Sequence, residues 1–419
     1  MAKDNIDFFK VKNNWSLIKD KLLKCYLTPY LQKVLGTKKK ICYVDCFSGK
    51  GRFEDNQPGS PMIALQIRDD CLNRSRMNID KHNAIDMTFI DLNYENELRH
   101  NLAPFDNYYG KPNIIGGKYE EQIMDVLRQR RGQNVFLYID PYGIKALDIN
   151  LFDQFNSMGF NSFEMLINFN SFGFFRDACR VMSVAYDRDN AFKGLEDLVE
   201  YEPTTVSAND NQSEQLLNAI AGGDYWKAIV LDYKAGIIDG YQAEQRLSTE
   251  YKQRLKTRYK YVLDMPIRLK ADQRPKYRMI HVSEHRDACF LMAQNMQNRK
   301  DELYTNIQTG GQMSIFDITP GYSQSTEGEW YTREQIVEKV KDAIRNAPGN
   351  IGITEFLAGF ANDFGLICDF KMIEDILGEL QKAGDIDIIR APATTPTGRP
   401  AAYWEEKDGR TVTIRRQRI

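Results

Sequence analysis

The sequence predicts an α/β fold with a mostly parallel sheet, a helical insertion and a small C-terminal domain. Three observations predict it. Short apolar runs alternate with helical patterns through the first 170 residues; two further apolar runs stand close together near residue 270; and the last 90 residues change to three amphipathic helices followed by short strands.

In order, residues 8–36 form a helix, because Trp15, Ile18, Leu22, Leu23, Tyr26 and Leu31 recur at helical spacing. ICYVDCF then reads as a buried parallel strand, followed by the Gly turn SGKG and the helix SPMIALQIRDDCL. Further strands end at Asp91 (MTFIDLN), Gly116 (PNIIGG), Asp140 (NVFLYID) and Asn168 (FEMLINFN), with helices such as 119–131 between them. YVLDMPIRL and YRMIHVSEH are expected to pair antiparallel and to complete a seven-stranded, Rossmann-like sheet. Residues 171–259 are mainly helical and polar, an insertion that suits a lid or a substrate-binding surface. The expected domains are 1–304, a Gly/Ser/Thr/Gln-rich linker at 305–329, and a winged-helix-like domain at 330–419, with strands at DIDIIR and AAYWEE flanking a Pro/Thr/Gly turn.

With 42% hydrophobic and 27% charged residues the composition is globular, and the longest apolar runs are far too short to span a bilayer. The N-terminus has no signal-peptide core, and seven cysteines without metal-type spacing fit free thiols in a reducing cytoplasm. Net charge is only −2, yet residues 246–278 hold 11 Lys/Arg against three acids, interleaved with Tyr251, Tyr259, Tyr261 and Tyr277. Such a strip either neutralises phosphates and stacks bases or is a solvated helix face followed by a strand.

Three constellations carry chemistry. In YVDCFSGKG a strand delivers Asp45, and Gly49 and Gly51 turn the backbone tightly into a helix, leaving room and N–H groups for a nucleoside-bearing ligand. Asp45, Phe47, Gly49 and Gly51 are the cofactor-binding candidates of this loop. The spacing is neither G-x-G-x-x-G nor a Walker A loop. Asp91, at the next strand end and 40 residues beyond Gly51, offers a carboxylate to ribose hydroxyls or is a plain strand terminus. In NVFLYIDPYG, Pro141 stiffens the turn that holds Asp140 at the carboxyl edge, where open α/β sheets bind ligands. Asp140 with a neighbouring carbonyl can hold an NH2 group and Tyr142 can stack a base. A nitrogen so held can attack a sulfonium methyl in line, with catalysis mainly by positioning. Asn168 and Asn170 end the next strand at this edge as caps or ligands, and His281 and His285 are expected to be structural. There is no G-x-S-x-G elbow, C-x-x-C pair or metal pattern.

The series W-x-x-I-K, YVDCFSGKGRFEDNQPGSPMIAL, TFIDLN, VFLYIDPYG, FEMLINFN and YRMIHVSEHRDACFLM resembles the three-Cys-motif partner (TcmP) proteins, in order across residues 10–300 and more loosely to QMSIFD at 312–317. Gly59 to Leu65, GSP-x-x-AL, is the most specific piece. The resemblance implies a class I methyltransferase fold, S-adenosylmethionine as cofactor, and a radical-SAM-like partner bearing three motif cysteines. DPYG is also similar to the D-P-P-Y of adenine-N6 methyltransferases and the D-P-F-G of guanine-N2 tRNA methyltransferases. This implies that Asp140, Pro141 and Tyr142 form the catalytic loop, although Tyr142 replaces a second Pro and SGKG replaces the expected AGPG. Three readings follow. The first is a methyltransferase for an exocyclic amino group of DNA or RNA, with Arg390, Arg399, Arg410, Arg415 and Arg416 near the wing. The second is a methyltransferase for a peptide or modified base, and the third a non-catalytic subunit or sensor in a phage-defence or mobile-element system.

Overall fold

Seven apolar runs become one sheet in the computed structural model of the chain, which describes residues 14–141, 143–186, 206–268, 275, 277–309 and 322–418. Two compact units divide between Glu284 and His285.

The N-terminal unit runs α1 (Asn14–Leu35), β1 (Ile41–Asp45), α2 (Ser60–Arg74), β2 (Ile85–Asp91), α3 (Glu95–Leu102), β3 (Asn113–Gly116), α4 (Tyr119–Arg128), β4 (Asn134–Ile139), α5 (Ile149–Phe155) and β5 (Ser162–Phe169). Four helices follow, α6 (Ser171–Val181), α7 (Asn211–Ala221), α8 (Tyr225–Lys234) and α9 (Gly240–Lys256), and then β6 (Tyr261–Ile267) and β7 (Tyr277–Ser283). The strand order is β3-β2-β1-β4-β5-β7-β6, and β7 runs antiparallel to both neighbours while the others are parallel. This is a Rossmann-like sheet, mostly parallel with one antiparallel strand. The order reverses beside β1, so a crevice is expected where β1 and β4 end.

Burial on both faces explains the continuous apolar runs: β1 and β4 are buried at every position. On the α1 face Tyr43 and Phe136 stack with centroids 5.9 Å apart, and Tyr26 packs on both Phe136 and His281. Buried beneath them, His281 Nε2 lies 3.0 Å from Glu164, which also accepts the Tyr26 hydroxyl.

The other face corrects two expectations. The insertion is no separate lid: Phe174, Trp226, Tyr233, Leu247 and Tyr251 share one core with Val135, Ile139 and Ile167 of the sheet. Nor is 246–278 a base-stacking strip, because Tyr251, Tyr259, Tyr261 and Tyr277 are all buried. Tyr251 stacks on Phe169 at 4.3 Å and donates to the Leu147 carbonyl, while Tyr259 donates to that of Phe152, which satisfies both hydroxyls inside the core. Four of the strip's described cations are committed to carboxylates. Arg278, 2% exposed, holds both oxygens of Glu244 at 2.7 and 2.8 Å and Asp264 at 2.8 Å. Lys252 meets Asp264 at 2.6 Å, Arg246 pairs with Asp232, and Arg258 with Asp153.

The N-terminal unit ends at Glu284, 20 residues before the boundary expected at 304, and the C-terminal unit opens with α10 (Arg286–Thr309). It continues through β8 (Tyr322–Gln324), β9 (Trp330–Thr332), α11 (Arg333–Asn346), β10 (Asn350–Gly352), α12 (Ile353–Phe364), α13 (Phe370–Ala383), β11 (Ile386–Ala391) and β12 (Thr411–Arg416). Part of the expected linker is therefore structured: residues 305–309 end α10, and β8 pairs with β9. QMSIFD lies outside the described residues. Helices α11, α12 and α13 with the sheet β10-β12-β11 make a winged helix. Its second wing strand is TVTIRR, not AAYWEE, which has no strand pairing. Thr332 with Gln335 forms a capping box at α11, Asp369 caps α13, and Gly384 closes α13 in the left-handed conformation. Charge is uneven along the last 50 residues of this unit. Residues 369–389 carry two Lys/Arg and six Asp/Glu, whereas 390–418 carry seven Lys/Arg and three Asp/Glu. Arg399, Lys407, Arg410 and Arg418 on the wing side are exposed. Arg390 and Arg410 lie over Trp404 and Tyr403 at 4.9 and 5.2 Å.

All seven cysteines are free thiols, and among the described residues no helix is long and apolar enough to cross a membrane.

Candidate active site at the carboxyl edge of the sheet

The β1–α2 loop lies between the two neighbouring strand ends. Cys46 N donates to the Tyr138 carbonyl at 2.9 Å on the β4 side, and Ser48 N to that of Ile90 at 3.0 Å on the β2 side. Gly49 (φ 55°) and Gly51 (φ 74°) adopt left-handed conformations that other residues resist. A Cβ on Gly51 would lie 3.0 Å from Leu98. The loop doubles back through an Arg52–Pro58 bridge, and Gly59 N closes it on the Gly51 carbonyl at 2.9 Å. A Cβ on Gly59 would meet that carbonyl oxygen at 3.1 Å.

The Gly-Ser-Pro element therefore has a local explanation. Gly59 permits the crossing, Ser60 donates its hydroxyl to Asp45 Oδ2 at 2.6 Å, and Pro61 starts α2 in the first turn, where its missing N–H costs nothing. Sequence reasoning missed Ser60. Asp45 is wholly buried and also accepts from Phe47 N at 3.3 Å; burial pushes its carboxyl up to about 7 despite these two donors. The Phe47 ring anchors the loop against Tyr119, 5.3 Å away.

Asp91 is buried at the end of β2. Its Oδ2 accepts from Gly49 N at 2.7 Å, and its Oδ1 accepts from Asn93 N and Tyr94 N, both at 2.9 Å. Three backbone donors leave about one of the four acceptor positions of a carboxylate. Asp91 thus builds the glycine loop as well as facing its edge. Beside it Leu92 is 58% exposed, a large apolar side chain at a strand end that sequence reasoning did not single out.

Asp140 follows β4 directly, two residues beyond Tyr138, which pairs in register with Asp45. It is surrounded by donors. Lys19 Nζ from α1 reaches both oxygens at 2.8 Å, Asn168 Nδ2 reaches Oδ1 at 2.7 Å, and the Tyr138 hydroxyl reaches Oδ2 at 3.2 Å. Pro141 is buried, and Tyr142 lies outside the described residues. Asn170 caps α6 through Gly173 N. Asp45, Asp91 and Asp140 thus meet at one edge with the glycine loop, whereas His281 is buried within strand β7 and His285 belongs to the other unit. Lys19 was not foreseen.

No family model matches the sequence, and no curated protein matches it. Among solved structures, the plantazolicin methyltransferase BamL, crystallised with a triazolic desmethylPZN analogue and SAH, is similar over 68% of this chain and 91% of that one. The identity is 12% and the TM-score 0.31. A likeness of that size is silent on activity.

Proposed function

We propose that the chain is an S-adenosylmethionine-dependent methyltransferase whose acceptor is an amino nitrogen, the exocyclic amino group of a nucleic-acid base. The observation that carries the reading is the meeting of a left-handed glycine loop, Asp91 and the Asp140–Pro141 turn at the switch point of a sheet with this strand order. The residues fit such a cofactor: two left-handed glycines leave positions 49 and 51 without side chains, about one acceptor position remains on Asp91, and Leu92 offers an apolar face. In this reading Gly49 and Gly51 line the methionine end, Asp91 accepts from a ribose hydroxyl, and Leu92 packs against the adenine. The cofactor supplies an electrophilic methyl group. Asp140 accepts an N–H of the target amine and orients its lone pair, so that catalysis is chiefly positioning. With the tyrosines of 246–278 buried, contact with DNA or RNA falls to the basic wing. The resemblance in motif order supports a radical-SAM-like three-Cys-motif protein as partner.

Calorimetric titration with S-adenosylmethionine and S-adenosylhomocysteine tests the cofactor. Micromolar binding is expected for the wild type. Gly51→Trp, which drives a ring toward Leu98 and Leu102, and Asp91→Ala, which frees the Gly49 N–H, are each expected to weaken it by about 100-fold, or about 2.7 kcal/mol. Circular dichroism checks that both variants fold. A folded wild type that binds neither nucleoside overturns the proposal.

A further inference from the structure

Asp140 already holds the kind of group that an amine acceptor is expected to receive. Two contacts from Lys19, one from Asn168 and one from Tyr138 fill the about four acceptor positions of a carboxylate. Lys19 is 6% exposed, and its ammonium stands 5.3 Å from the centre of the Tyr277 ring. A carboxylate on one side and an aromatic face on the other is the chemistry that binds an amino head group. Asn168 adds a second observation. Its Nδ2 faces the Asp140 carboxylate, which fixes the amide and leaves Oδ1 as the other end. Asn168 is 1% exposed, and that Oδ1 has no hydrogen-bond partner. A buried acceptor without a donor is unfavourable, and an N–H from a ligand would relieve it.

We infer that Asp140, Tyr138, Asn168 and Tyr277 form a cradle for a primary amino group, and that Lys19 is its built-in occupant, displaced when a ligand brings its own amine. The inference rests on the proposed function only in treating this cradle as the acceptor's subsite. An aliphatic ammonium and the exocyclic amine of a base share the required N–H donors, so both are probed. A purely structural tie between α1 and β4 would instead lose stability on removal of Lys19 and gain no amine binding.

The test uses the full chain without cofactor. Lys19→Met keeps the apolar stem and empties the cradle. Its thermal midpoint is expected to rise saturably by several degrees with n-propylammonium or with 9-methyladenine. Tetramethylammonium at equal ionic strength should leave it unmoved, and Lys19→Met/Asp140→Asn should respond to neither amine. A response to propylammonium assigns an aliphatic amine, and one to 9-methyladenine an aromatic amine. Absence of any saturable rise in folded Lys19→Met, or a rise that survives Asp140→Asn, overturns the inference. Should Lys19→Met not fold, acetylation of wild-type Lys19, read by peptide mass spectrometry against exposed Lys24, is expected to increase saturably with either amine; an unchanged ratio overturns it equally. Failure of S-adenosylmethionine to bind leaves all these readouts intact.

Discussion

Arg278→Met is expected to destabilise the N-terminal unit by about 3–5 kcal/mol, because it leaves a buried carboxylate without its counter-charge. Glu244 is 1% exposed, and both its oxygens are held by this one guanidinium. Burial pushes Asp264 up, but Lys252 and Arg278 beside it outweigh that and hold it at about 2. That folded value lies below the unfolded carboxylate's ~3.9, so the pair's stabilisation is complete above ~3.9 and is lost as pH falls toward about 2. Removing Arg278 should shift acid unfolding to higher pH. The urea midpoint at pH 7 measures the first effect and an acid titration by circular dichroism the second. Replacing both partners, Glu244→Met/Arg278→Met, should recover more than half of the loss, since two apolar side chains can fill the space of a buried ion pair. A neutral single variant would mean that the network is hydrated.

Asp45→Asn is expected to act in the opposite direction at alkaline pH. With its carboxyl raised to about 7, the folded chain keeps a proton that the unfolded chain releases near ~3.9. The folded state therefore binds the extra proton between those values. Stability falls with rising pH across that window, by about 4 kcal/mol in all for a shift of about three units. The substituted amide cannot ionise, and it can still accept from Phe47 N and meet Ser60. The variant should match the wild type near pH 4 and exceed it at pH 8. Denaturant unfolding at pH 5, 6, 7 and 8 decides this: equal slopes for the two proteins would remove Asp45 as the source.

The sheet was legible because buried parallel strands leave continuous apolar runs, and because Gly49, Gly51 and the Asp140–Pro141 turn stand at strand ends, where residue order alone places them on one edge. Other features were legible only in part. Tyr251 lies four residues from both Leu247 and Leu255, so helical spacing already puts it on a buried face, and charge counting obscured that. Lys19 stands on the apolar face of α1 among Leu22, Leu23 and Tyr26, and a cation in such a stripe signals a partner. The partner's identity was not available locally, since Asp140 is 121 residues away. The 34 residues from Arg278 to Glu244 hid the buried pair in the same way. The wing strand β12 was missed because TVTIRR is polar at alternate positions and carries two arginines, whereas AAYWEE has the aromatics that favour strands.

The division of charge in the winged helix bears on motion before contact. Residues 369–389 carry six acids and residues 390–418 seven cations, with Asp387 of the first stretch meeting Arg415 of the second at 2.6 Å, although the whole chain carries a net charge of only −2. In the proposed reading an approaching polyanion is drawn to the exposed Arg399, Lys407, Arg410 and Arg418 and repelled from the exposed Asp375 and Glu379. Encounters then begin in one orientation, and fewer are wasted. Added salt would slow arrival more than it would hasten departure.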